Sequence, residues 1–208
     1  MTPEGPGRSA AHADFRTVEK RSFSKGSKLL MTLAALVDPG TWGLLLRQLG
    51  FHYRCHVRAM RRLTIGPGAH VSPFAAFLNP ERIEIGRNVR IGDRCYLWAG
   101  YEHARIRIGD DVMFGPEVMV NCAVYRFEDG QPVWRQAMDE ADIVIGDDVW
   151  VATRATIMPG ARIGAGAVIG AGAVVSGEIP PMSVAVGAPA RVVRARRLAG
   201  GTEAEAAP

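Results

Sequence analysis

A chain of 208 residues is long enough for one domain with a real core, but 24 glycines and 7% aromatic residues mean that the core is built from small and aliphatic side chains. The net charge of +4 is unevenly spread. Residues 1–62 hold 11 basic and 4 acidic side chains, residues 63–208 hold 14 and 17, so a basic leading segment precedes a mildly acidic body with no nucleic-acid-binding motif.

Residues 1–26 are polar, carry Pro and Gly, and are expected to form a loose arm. Residues 27–62 read as helical with a break near Asp38-Pro39-Gly40. Leu45, Leu46, Leu49, Tyr53, Val57 and Met60 recur at near-helical spacing, while Gly50 weakens the pattern. Arg47, Arg54, Arg58, Arg61 and Arg62 gather mainly on another side. Such a segment can pack on the body or dock on an anionic membrane, and packing is the expectation. His52 and His56 have a spacing that can hold a metal, but no carboxylate accompanies them, so a polar helix face is expected and no metal. The apolar run Leu29–Val37 falls short of the ~20 residues a membrane span needs and does not read as a secretory signal. Cys55, Cys95 and Cys122 form neither a zinc pattern nor a disulfide framework, and are expected as reduced core residues of a cytoplasmic protein.

From Leu63 an aliphatic or aromatic residue recurs every six positions. That period fits neither a helix nor plain alternation; it predicts short strands separated by sharp corners, a solenoid. Taken in triplets, Ile65, Ile85, Ile108, Ile145 and Ile163 fall on one face of a triangular prism, here face A. Val71, Ile91, Phe114, Val151 and Ile169 fall on face B, and Phe77, Leu97, Val120, Ile157 and Val175 on face C. The register breaks, 77 to 85, 97 to 108 and 120 to 145, all fall between C and A, so every insertion projects from one edge, where a site can form. Gly86, Gly92, Gly109, Gly146, Gly164 and Gly170 directly follow their aliphatic residue, and Asn88, Asp93, Asp110, Asp111, Asp147 and Asp148 lie nearby; Gly, Asn and Asp are the residues that tolerate the positive φ tight corners demand. The solenoid is expected over 63–194, with a protruding loop at 125–142 and a loose tail at 195–208.

The elements Val149-Trp150-Val151, Ile157-Met158-Pro159-Gly160, Ile169-Gly170-Ala171-Gly172 and Val186-Gly187-Ala188-Pro189-Ala190-Arg191 together resemble the hexapeptide-repeat acyltransferases, especially the maltose, galactoside and polysaccharide O-acetyltransferases. The resemblance covers about Leu63–Arg194. It implies an all-β left-handed parallel β-helix, a homotrimer with active sites between subunits, and acetyl-CoA as co-substrate lying along the C-terminal coils. It also implies CoA contacts at Thr153, Ala171 and Ser176, and phosphate contacts at Arg191 and Arg194, whose guanidinium forks suit that role. Gly177 stands where relatives often carry Lys, a side chain that this chain does not offer to a phosphate.

The family's base, a histidine in a pattern like N-H-x-[FY]-[DE], is missing. The stretch here is Cys122-Ala123-Val124-Tyr125-Arg126-Phe127-Glu128, which sets Tyr125 at the histidine position, and no histidine follows His103. A histidine near pKa 6.5 can take a hydroxyl proton at neutral pH, a step worth ~10²–10⁴ in rate, whereas a tyrosine near 10 is a poor base. His103 lies in the insertion at the same corner one coil earlier, and neighbouring strands are ~4.8 Å apart. It is therefore a candidate replacement, hydrogen-bonded to Tyr125 or oriented by Glu102; the plainer expectation is an exposed corner residue. Two functions follow. One is acetyl transfer from acetyl-CoA to a hydroxyl of a sugar, glycan or other small acceptor. The other is a degenerate solenoid that keeps trimerisation and CoA binding but has lost transfer. A zinc carbonic anhydrase of similar fold needs three histidines, and the repeat body has only His70 and His103.

Overall fold

The computed structural model describes residues 24–197, and the chain divides into two units, Met1–Leu46 and Arg47–Pro208. In the first, helix α1 (Lys25–Val37) starts at Ser24, whose hydroxyl accepts the Ser27 amide at 3.2 Å. Lys25 and Gly26, expected in the arm, are thus helical. Helix α2 (Pro39–His52) follows a single intervening residue, Asp38. Pro39 stands at the first helical position, where no amide is needed, and Asp38 Oδ2 accepts the Thr41 amide at 2.6 Å. No residue of α1 or α2 is buried.

In the second unit the chain winds as a left-handed parallel β-helix of three sheets. Face A has six strands; face B has six parallel strands and a seventh folded back; face C has five. The ladders run Ile65, Ile85, Ile108, Ile145, Ile163, Ile179 on A, and Val71, Ile91, Phe114, Val151, Ile169, Ala185 on B. Face C stacks Phe77, Leu97, Val120, Ile157, Val175. Each position read from the six-residue period therefore sits on the face and in the order expected. On most coils the residue two before the ladder position also points inward, because alternate residues of a strand share a side. Val89, Val112, Val149 and Ala167 do so ahead of face B, and Ala75, Cys95, Val118, Ala155 and Ala173 ahead of face C, all buried. Small residues fit the narrow prism corners, which is why so glycine- and alanine-rich a chain can close a dry core.

The corner residues divide. Asn88, Asp111 and Asp148 take a positive φ as expected, but Gly86, Gly92, Gly109, Gly146, Gly164 and Gly170 do not; two residues after each of these glycines the positive φ falls at Asn88, Arg94, Asp111, Asp148, Gly166 and Gly172, and other corners place it on Glu117 and Arg154. The glycine after the ladder residue is set by coil-to-coil approach: a Cβ on Gly92 would lie 2.9 Å from the Gly115 carbonyl carbon, and one on Gly146 2.7 Å from the Ala165 amide nitrogen. Stacked backbones there leave no room for a side chain. Arg94 and Arg154 flank Glu117 along one corner, and the three form an ion-pair ladder over left-handed backbone.

The prism is closed at both ends. Tyr53–Val57 forms a π-helical turn and Arg58–Met60 a short helix α3. Cys55, Ala59 and Leu63 are buried, and His56 Nδ1 donates to the Ala75 carbonyl at 2.8 Å. His52 and His56 stack with ring centroids 5.2 Å apart. At the other end Arg191–Ala195 runs antiparallel to Ser183–Val186. Arg196 then donates to the carbonyls of Asp148 (3.0 Å) and Gly166 (2.9 Å), so Ala195 and Arg196, expected in the tail, belong to the body. The remaining arm (1–23) and tail (198–208) lie outside the described residues. Cys55, Cys95 and Cys122 are free, buried thiols.

Candidate active site

All three insertions emerge between face C and face A. The first is a short 3₁₀ turn, Pro80–Arg82. The second is the loop from Ala99 to Arg105. The third is a hairpin in which Ala123–Tyr125 pairs antiparallel with Met138–Glu140. Its stem is braced by Arg126 Nη2 against Asp139 Oδ1 at 2.6 Å.

Glu140, at the end of this hairpin, reaches into the second loop. Its carboxylate accepts the successive backbone amides of Tyr101, Glu102 (3.2 Å), His103 (2.9 Å) and Ala104 (3.2 Å). The carbonyls of the same loop are held from the first insertion. The Asn79 side-chain amide donates to Gly100 O, and Arg82 Nη2 donates to Gly100 O (3.1 Å) and Tyr101 O (2.6 Å). One loop is thus gripped by an anion at its amides and by donors at its carbonyls. Gly100 makes this possible: its φ is +72°, and a Cβ there would lie 2.7 Å from the Glu140 carboxyl carbon. Partial burial pushes the Glu140 pKa up, but the amides of His103, Tyr101, Ala104 and Glu102 outweigh it and hold the group at about 2.

The clamped loop presents His103 on a pocket of about 560 Å³ whose wall also includes Glu102, Tyr125, Gln136, Met138 and Glu140. His103 and Tyr125, candidates from the sequence, therefore share one pocket. The His103 side chain is 83% exposed, with Nε2 3.3 Å from Glu102 Oε2; among the described residues no hydrogen bond joins it to Tyr125. Cys122, three residues before Tyr125, is no nucleophile at neutral pH: burial pushes its thiol up to about 12 despite the Ile143 amide.

The five residues matched to CoA contacts lie elsewhere on the prism. Thr153 and Ala171 occupy the corner between B and C on successive coils, joined by the Gly172 amide donating to the Thr153 carbonyl at 2.9 Å. Ser176 lies at the C-to-A corner, and Arg191 and Arg194 on the antiparallel strand of face B, opposite Val186 and Val184. Each guanidinium reaches only a local carbonyl, Arg191 to Ala190 O (2.9 Å) and Arg194 to Ala195 O (3.1 Å). Among the described residues neither has a carboxylate partner. None of the five lines the His103 pocket. His70 is on face B, in a shallow groove of about 790 Å³ with Arg90, Met113 and Trp150.

Residues 142–177 match the model of the bacterial transferase hexapeptide (six repeats). The chain is 37% identical over 133 residues to nodulation protein L of Rhizobium meliloti (strain 1021), covering 62% of this chain and 68% of that protein. The chain belongs to the hexapeptide-repeat acyltransferase family. It is 35% identical to galactoside O-acetyltransferase of Escherichia coli (strain K12) over 136 residues, 63% of each chain. A solved galactoside acetyltransferase in complex with coenzyme A superposes with a TM-score of 0.63 at 28% identity, covering 77% of this chain and 84% of that one. Against the first curated relatives this chain spans between about half and just under two thirds of their own length, 52% and 63% for two of them.

Glu140, Arg82 and Asn79 were not singled out in the sequence as site residues. Glu140 is 36 residues from the nearest amide it binds, and its sequence surroundings, Met138-Asp139-Glu140-Ala141-Asp142, read as a solvated acidic stretch. Only the fixed register of the coils brings it to the loop.

Proposed function

We propose that this hexapeptide-repeat protein transfers an acetyl group from acetyl-CoA to a hydroxyl of a sugar, glycan or other small acceptor. The observation that carries the reading is the shared pocket of His103 and Tyr125 at the corner where every insertion converges. The coenzyme A complex of the galactoside acetyltransferase supports the donor, and galactoside O-acetyltransferase supports a sugar-like acceptor.

In this mechanism His103 accepts the acceptor's hydroxyl proton as that oxygen bonds to the thioester carbonyl carbon. The resulting imidazolium is stabilised by Glu102, 3.3 Å away. Collapse of the tetrahedral intermediate breaks the C–S bond, and the proton passes from His103 to the departing CoA sulfur. The Tyr125 hydroxyl serves as a hydrogen-bond donor to acceptor or oxyanion rather than as the base. Thr153, Ala171 and Ser176 line the CoA path, with Arg191 and Arg194 on its phosphates. Because these residues and the His103 pocket lie apart on one chain, the reading includes a cytoplasmic homotrimer in which neighbouring chains complete each site.

A second reading, a solenoid that binds CoA without transferring acetyl, is favoured by Tyr125 alone. Calorimetric titration with acetyl-CoA, followed by an acceptor screen with His103→Ala as control, decides between them. Binding plus transfer that His103→Ala abolishes supports the transferase. Binding with no transfer to any acceptor supports the second reading, and no binding removes both.

A further inference from the structure

The large apolar side chains of α1 and α2 are left unburied. Leu29, Leu30, Leu33, Leu36 and Val37 on α1 are between 52% and 80% exposed, and at 100° per residue they fall within about a third of its circumference. On α2, Trp42, Leu45, Leu46 and Leu49 gather on one side, each 47% or more exposed. An apolar surface of this extent on two adjoining helices is not left in water without a partner.

The charge around it selects the partner. Between Lys20 and Arg62 the sequence holds nine basic residues and one acidic residue, Asp38. That aspartate is engaged: Oδ2 accepts from both the amide and the hydroxyl of Thr41. Two copies of this segment laid face to face would bring nine positive charges against nine. An apolar face bordered by unopposed lysines matches instead an anionic bilayer surface, which offers hydrocarbon below and phosphates above. Among the described residues no single helix is long and apolar enough to span a membrane, and the pair that would be, Lys25–Val37 with Pro39–Met60, is bent by 71°. At 1.5 Å per residue each helix is ~20 Å long, against a ~30 Å hydrocarbon core. Trp42 and Tyr53, amphipathic rings at the start of α2 and just after its end, are the residue types that settle at the headgroup boundary.

We infer that α1 and α2 seat this protein on anionic lipid, lying in the interface with their leucines in the acyl region and Lys25 and Lys28 at the phosphates. This does not depend on the acetyl-transfer reading. The test is cosedimentation of the full chain with phosphatidylcholine vesicles and with vesicles of phosphatidylcholine and phosphatidylglycerol (3:1), at 50 and 500 mM NaCl. Two variants are compared, Leu33→Glu/Leu36→Glu and Lys25→Gln/Lys28→Gln, neither of which touches the β-helix core. The wild type should partition at least tenfold better onto the anionic vesicles at low salt. The glutamate pair should abolish binding, and the glutamine pair should weaken it about 30-fold, from roughly fivefold per basic residue. Absence of wild-type binding overturns the inference, as does binding that both variants leave unchanged. So does light scattering in which the glutamate pair lowers the oligomer mass without lipid, since the helices would then cover one another.

Discussion

Replacing Glu140 by glutamine keeps the shape of the clamp and removes its charge. In the folded protein the carboxyl sits at about 2, against a reference of 4.5. At 1.36 kcal/mol per unit this gives an upper bound of ~3.4 kcal/mol. The carboxylate is partly open to solvent, so screening brings the expected loss at pH 7 to ~1–2 kcal/mol. For a chain of this size that is a fall in Tm of roughly 3–6 °C. The sign with pH is fixed by the direction of the shift. A carboxyl depressed by folding contributes fully above its unfolded pKa and loses its contribution as pH falls through the folded one. The wild-type advantage should therefore be flat from pH 6 to 8, shrink below about 4.5, and be less than half its neutral value at pH 3. Thermal melts of both proteins, at matched concentration and across pH 3–8, read this directly. Because the clamp also aims His103, acetyl transfer by the variant at 25 °C should fall further than its folded fraction. A variant as stable as wild type at pH 7, or a difference that persists undiminished to pH 3, would refute the account of Glu140 as an ionised clamp.

Gly100→Ala places a side chain at φ +72° and against the Glu140 carboxyl carbon; a Tm loss at least equal to that of Glu140→Gln is expected, and the double variant should be less than additive. His103→Ala should lower kcat by ~10²–10⁴ with little change in Tm, whereas Tyr125→Phe should lower it less; steady-state assays on an acceptor found by screening measure both. Arg191→Ala with Arg194→Ala should weaken acetyl-CoA binding by ~10–100-fold in calorimetry and leave the melting curve unchanged, since each guanidinium reaches only a local carbonyl. Cys122 should resist alkylation at pH 8 in the folded protein and react after denaturation, because burial holds its thiol at about 12.

The β-helix was readable because its signal is redundant. Fifteen ladder positions repeat the six-residue step, and its three interruptions all fall at the same C-to-A corner, so each run of strands returns to the same face. The corner glycines show the limit of that reading. A glycine in a hexapeptide has two uses, positive φ or close approach, and sequence composition alone does not separate them. Gly92 and Gly146 turn out to serve coil stacking, while the left-handed backbone falls on residues as bulky as Arg94, Glu117 and Arg154. Each of these side chains is ion-paired with the coil above or below. The pocket was half readable. His103 and Tyr125 could be brought to one corner by counting coils, but their support could not. Glu140, Arg82 and Gly100 act through backbone amides and carbonyls, whose directions depend on loop geometry rather than on residue pattern.

The clamp also explains how a catalytic base could sit at position 103 rather than 125. A side chain on the hairpin strand at Tyr125 is aimed by a β-ladder and needs no further help. A side chain on a seven-residue loop has no such guide, and a floppy imidazole would forfeit much of the gain from proximity. Here the Glu140 carboxylate at four loop amides, and the Asn79 amide and Arg82 guanidinium at two loop carbonyls, fix the loop from both neighbouring insertions. The flanking ladders are paired through their own strands, outside the clamped loop. Loop rigidity of that kind is what a histidine moved off the strand would require, and it ties His103 to the same hairpin that carries Tyr125. Loosening the hairpin should therefore disturb the His103 loop as well as the position the family normally gives its base.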